Sequence, residues 1–223
     1  MVARGTMDTD RAPWLLAVIF DYGGVIRRED REDYAAIDDA HGLPRGALWA
    51  AMHDVPEYRL SREGAIDRNA YRLAVRRALA KGPGDEARAD AALGALDRYT
   101  AALPPVEPEM RALLERLRAA GRVKLALLSN AFRGGTERLR ALGVTALFDE
   151  TLISGDVGVA KPDATAFVLA ATRLGVEPSA CLMIDDQPQH VAGAQAAGLR
   201  AHLHERTRLA ELTVLLEAEG AFG

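Results

Sequence analysis

The chain has 223 residues, of which 49% are apolar and 27% charged, and its formal net charge is -4. That length suits one large domain or two modest ones, and the balance excludes a disordered polyelectrolyte, which pairs low hydrophobicity with high net charge. Arg residues alternate with Asp and Glu instead of forming a basic stripe with aromatic partners, so no nucleic-acid partner is expected; no run of about 18 apolar residues marks a membrane span.

Residues 1–13, "MVARGTMDTDRAP", lack the apolar core of a secretion signal and read as a loose tail. "LLAVIF" follows, an apolar run of strand length that ends on Asp21 and then on the Gly23-Gly24 pair. From 29 to 103 the pattern changes. Apolar side chains recur at helical spacing (Tyr34, Ile37 and His41; Tyr71, Val75 and Leu79; Leu93, Leu96 and Tyr99), and "KGPGD" marks a turn between two of the helices. "LPPVEP" closes this helical segment.

Beyond it, strands and helices alternate. Pro108 to Ala120 predicts a helix stopped by Gly121, "VKLALLS" a buried strand, Gly134 to Leu142 a helix stopped by Gly143, and "LFDETLIS" another strand. Pro162 to Leu174 predicts a helix stopped by Gly175, "ACLMI" a strand, Pro188 to Ala197 a helix stopped by Gly198, and "LRAHLH" a last strand. Such alternation implies an α/β fold, a Rossmann-like parallel sheet with helices on both faces, because parallel neighbours need crossover helices. The expected organisation is a sheet domain from 14–28 and 104–223 carrying a small α-helical domain at 29–103. Cys181 is the only cysteine, so no intrachain disulfide is expected and a reducing cytoplasm is the expected location. A monomer and a homodimer fit equally well.

Ligands of open α/β sheets bind beyond the carboxyl ends of the strands. Those ends carry Asp21, then Ser129 and Asn130, then Lys161 after a glycine-rich loop, then Asp185 and Asp186. Each alone has an ordinary explanation: Asp caps turns, Ser caps helices, and an isolated lysine is usually solvated. Four such groups at four successive strand ends form an inventory for phosphate and metal.

"IFDYGGVI", "LLSN", "VAKPD" and "LMIDD" resemble, in order, the four signature motifs of the haloacid dehalogenase superfamily, and the helical segment resembles the cap that follows the first motif in one class of it. The resemblance implies a phosphatase acting on a small phosphorylated molecule. Asp21 would be the nucleophile forming an aspartyl-phosphate, and Ser129 and Lys161 would bind the phosphoryl group with backbone amides near Gly24 and Asn130. Asp21, the Gly23 carbonyl and the Asp185-Asp186 pair would hold Mg²⁺. A cation is needed on physical grounds, since a carboxylate about 4 Å from one phosphate charge is opposed by roughly 4 kcal/mol at an effective dielectric near 20.

One residue departs from the pattern. Phosphatases of the family carry an acid/base aspartate two residues after the nucleophile, where this chain has Gly23. General acid/base catalysis is worth about 10²–10⁴ in rate. Either a residue of the helical segment (Glu29, His41, His53 or Glu57) supplies the proton, or the protein binds phosphoryl groups with low turnover. A 2-haloacid dehalogenase is a further alternative, disfavoured by the adjacent acidic pair.

Overall fold

The computed structural model describes residues 15–82 and 84–222. The expected tail at 1–13 lies outside the described residues, as does Pro83 in the "KGPGD" turn. In chain order the elements are β1 (Ala17–Phe20), α1 (Arg31–Ala40), α2 (Ala47–His53), α3 (Glu57–Arg62), α4 (Arg68–Leu79), α5 (Asp85–Ala102), α6 (Pro108–Ala120) and β2 (Lys124–Ser129). There follow α7 (Gly135–Ala141), β3 (Glu150–Ile153), α8 (Ser154–Val157), α9 (Ala164–Leu174), β4 (Cys181–Asp185), α10 (Pro188–Ala196), β5 (Arg200–Leu203) and α11 (Leu209–Ala218).

The five strands form one parallel sheet in the order β3-β2-β1-β4-β5. β1 is central, and its AVIF sequence is buried throughout because successive side chains enter opposite layers. Val18 and Phe20 join Leu125, Leu127 and Ile184 under α6 and α11. Ala17 and Ile19 join Ala126, Leu128 and Met183 under α9 and α10. α6 turns Met110, Leu113, Leu114 and Leu117 toward the sheet, and Gly121 ends it in the left-handed region at φ 63°. α9 starts at Ala164 rather than Pro162, because the Asp163 carboxylate accepts from the Thr165 amide at 2.8 Å and caps the helix there.

α1 to α5 close around a hydrophobic cluster of their own, formed by Tyr34, Leu48, Tyr71, Val75, Leu93 and Leu96 among others. Two chain crossings join this unit to the sheet, and they are tied to each other. Tyr22 Oη donates to the Pro105 carbonyl (2.8 Å), the Glu107 amide donates to the Ile26 carbonyl (2.9 Å), and Arg27 Nη2 donates to the Thr100 carbonyl. No helix among the described residues is long and apolar enough to cross a membrane.

Candidate active site

β1 delivers Asp21 to the point where the sheet order reverses, with β2 on one side and β4 on the other. The Asp21 amide still donates to the Ile184 carbonyl (2.9 Å), which fixes the residue to the last rung of the sheet. Lys161 reaches this point from the loop before α9. Its side chain is fully buried, and Nζ lies 2.6 Å from both Asp21 Oδ1 and Asp185 Oδ2.

Lys161 is held from behind by Asn130. The Asn130 side chain accepts from the Lys161 amide (2.9 Å) and donates to the Lys161 carbonyl (2.8 Å), a two-point clamp across 31 residues. Asp185 is saturated. One oxygen takes Lys161, and the other accepts from the Gln187 amide and faces His190 Nδ1, both at 3.0 Å.

Three protein donors make Asp185 the carboxylate that keeps its charge: burial alone would raise its pKa, but Lys161 and His190 bring it down to about 2. Asp21 has Lys161 alone, and burial with the neighbouring Asp185 pushes it up to about 7. The Lys161 ammonium, which burial would discharge, is kept above its ordinary value by the two acids.

Asp186 is the unsatisfied member. Its Oδ1 is buried without a hydrogen-bond partner, and burial, Asp185 and Glu29 raise its pKa to about 7. It packs so closely on Gly24 that a Cβ there would lie 2.3 Å from Asp186 Oδ2, and Gly24 sits at φ 78°, so both space and backbone demand glycine. Among the described residues nothing donates to the Gly23 carbonyl.

The donor set fits a hard divalent cation. Asp21, the Gly23 carbonyl and Asp186 offer oxygen, and one ammonium does not balance the acids gathered there. Asp21, Asp185 and His190 also lie together, with ligand atoms within 4.8 Å, but Lys161 and the His190–Asp185 contact already link them. Asp185 is thus placed to orient Lys161, with Asp186 left as the free acid of the pair.

The Gly24 amide, expected in the phosphate cradle, donates to the Arg27 carbonyl (2.8 Å), because the turn from Tyr22 to Arg27 folds back. The Asn130 side chain is committed to the backbone of Lys161. Ser129 is nearly buried and lines a cavity of about 430 Å³, together with Tyr22, Gly64 to Arg68, Phe132 and Arg138.

The space at Gly23 is filled. Glu29 Oε2 lies 2.1 Å from where a Cβ on Gly23 would stand, and Tyr34 Oη donates to Glu29 Oε1 at 3.0 Å. Burial and Glu29 raise the Tyr34 pKa, so the phenol stays protonated and donating. Sequence reasoning had Glu29 only as one of four candidates. His190 it missed, although an imidazole in the first turn of the helix that follows a strand-end aspartate faces back toward it.

A parallel sheet that presents a buried aspartate, a lysine shared between two acids and an unpaired carboxylate at its switch point fits a hydrolase built on an α/β sheet. The family model for haloacid dehalogenase-like hydrolases matches residues 15–198, and the chain belongs to that family. It is 41% identical over 99 residues to a phosphoserine phosphatase of Thermus thermophilus, a match covering 44% of this chain and 39% of that protein. The chain thus spans well under half the length of that curated relative. A predicted HAD-like family hydrolase from Porphyromonas gingivalis superposes with a TM-score of 0.64 at 24% identity, over 91% of this chain and 98% of its own. A HAD family enzyme from Bacteroides thetaiotaomicron, solved with magnesium and inorganic phosphate, superposes with a TM-score of 0.57 at 21% identity, over 84% and 93%.

Proposed function

We propose that the chain is a Mg²⁺-dependent phosphatase that hydrolyses a small phosphorylated molecule through an aspartyl-phosphate on Asp21. The observation that carries this reading is the Asp21–Lys161–Asp185 ion cluster beside the partnerless Asp186 oxygen. Lys161 keeps one Asp21 oxygen oriented and charge-balanced, and the Ser129 hydroxyl on the cavity wall is available to a phosphoryl oxygen. Asp21, Gly23 and Asp186 would hold the cation, whose chemistry when bound is to neutralise charge between carboxylate and phosphate.

In the first half-reaction an Asp21 oxygen bonds to phosphorus and the ester P–O bond breaks. The departing oxygen takes its proton from Glu29, the carboxyl that occupies the volume a Gly23 side chain would use. In the second, Glu29 takes a proton from water as the water oxygen bonds to phosphorus, and the P–O bond to Asp21 breaks. The helical unit at 29–103 serves as the cap that shields this chemistry from solvent.

The test is phosphate release from an aryl phosphate with and without Mg²⁺, with mass spectrometry of the acid-quenched enzyme. Mg²⁺-dependent release and a phosphoryl adduct, both lost in Asp21→Asn, are expected. Metal-independent halide release from a 2-haloacid would instead establish the dehalogenase reading.

A further inference from the structure

Arg62, the last residue of α3, is 9% exposed, and its Nε and Nη1 are enclosed without hydrogen-bond partners. Among the described residues no carboxylate lies within salt-bridge distance of it. Three rings surround the guanidinium instead, with Cζ 4.6 Å from the Tyr58 centroid, 5.2 Å from Tyr71 and 4.4 Å from Phe132. Aromatic faces attract the cation, but guanidinium donors lie in the plane of the group, and a ring stacked over that plane leaves them unsatisfied. Two enclosed nitrogens of a charged group without an acceptor are a rare arrangement that calls for a missing partner.

The position relates this cation to the chemistry. Phe132 stands three residues beyond Ser129 and lines the same cavity, which the chain leaving Arg62, from Gly64 to Arg68, also lines.

We infer that Arg62, walled by Tyr58, Tyr71 and Phe132, binds a second anionic group carried on the leaving portion of the substrate. The substrate class is then a phosphomonoester with a further carboxylate or phosphate, not a neutral sugar or alcohol phosphate. This rests on the phosphatase reading for what is turned over, but not for what is bound.

Calorimetry on the full chain with Mg²⁺ tests it, using three non-hydrolysable probes: propylphosphonate, 3-phosphonopropionate and propane-1,3-bisphosphonate. At least one diacid is expected to bind tenfold or more tighter than propylphosphonate, and the tighter of the two identifies the anion. That advantage should vanish in Arg62→Gln and survive in part in Arg62→Lys. Equal binding of all three probes by the unaltered protein overturns the inference without reliance on any variant, and so does an advantage that persists in Arg62→Gln. If the diacid preference holds while the unaltered protein releases no phosphate from any ester, the phosphatase reading fails and the anion site stands.

Discussion

Replacing Glu29 by Gln keeps the side chain's size and its bond with Tyr34 while removing its ability to give or take a proton. Oε2 already occupies the space beside Gly23, so the amide variant meets no steric change, and any loss of rate belongs to proton transfer. A positioned acid/base contributes about 10²–10⁴ in rate, or roughly 3–5 kcal/mol of barrier. Alkyl phosphates, whose alkoxide must be protonated as it departs, should lose that full factor. Aryl phosphates, whose phenoxide leaves unaided, should show a rapid stoichiometric release of phenol followed by slow turnover, because only the hydrolysis of the phosphoenzyme still needs the base. Stopped-flow absorbance with nitrophenyl phosphate and single-turnover assays with an alkyl ester read these two phases. Equal slowing on both substrates with no initial phase, or a rate on alkyl esters within threefold of the parent, would refute the assignment. The double variant Gly23→Asp with Glu29→Ala, which vacates the carboxylate's place for an aspartate, should recover alkyl turnover.

Lys161→Met leaves Asp21 and Asp185 facing each other in a buried site without their cation, and breaking a buried ion pair by removing one partner costs about 3–5 kcal/mol; a urea midpoint unchanged from the parent would contradict the ion cluster. Burial raises Asp21 and Asp186 to about 7, above the unfolded value of 3.8, so the stability they contribute is complete below pH 3.8 and is lost as pH rises through about 7. Mg²⁺ competes with those protons, so the rise in Tm it produces should be small at pH 5 and grow to pH 8; scanning calorimetry showing a pH-independent rise would count against an acid-held cation. Leu114→Ala, at a fully buried α6 position, should cost about 2–5 kcal/mol in chemical denaturation while leaving the aryl-phosphate KM unaltered. Asn130→Ala removes both holds on the Lys161 backbone and should lower kcat far more than it lowers Tm.

The sheet was legible because fully buried parallel strands read as unbroken apolar runs, and because Gly121 and Gly175 stand where helices must stop in the left-handed region. Asp21, Asp185 and Asp186 were legible for the same reason, since a charged residue directly behind such a run has nowhere to lie but the sheet's edge, whereas Lys161 arrives only after α8. α11 lies beyond the last expected element, "LRAHLH", and its Leu212 and Leu216 reveal their burial only once β1 and α6 are in place beneath them. The roles of Asn130 and His190 were equally hidden, because an amide clamp on a residue 31 positions away leaves no periodic trace. Glu29 came near Gly23 through the back-folded turn from Tyr22 to Arg27, which is closed by the main-chain amides of Gly24, Ile26 and Arg27, a pattern that many sequences could form.

That turn has a mechanical consequence. A proton donor on the nucleophile's own loop keeps a constant distance from it, whereas Glu29 stands just before α1 and is bonded to Tyr34 within it. Under the proposed mechanism, a swing of the helical unit about its two crossings would carry the carboxyl along, and an open conformer would keep Asp21 but lose its proton relay. Idle hydrolysis would be suppressed by geometry until a ligand draws the helices down.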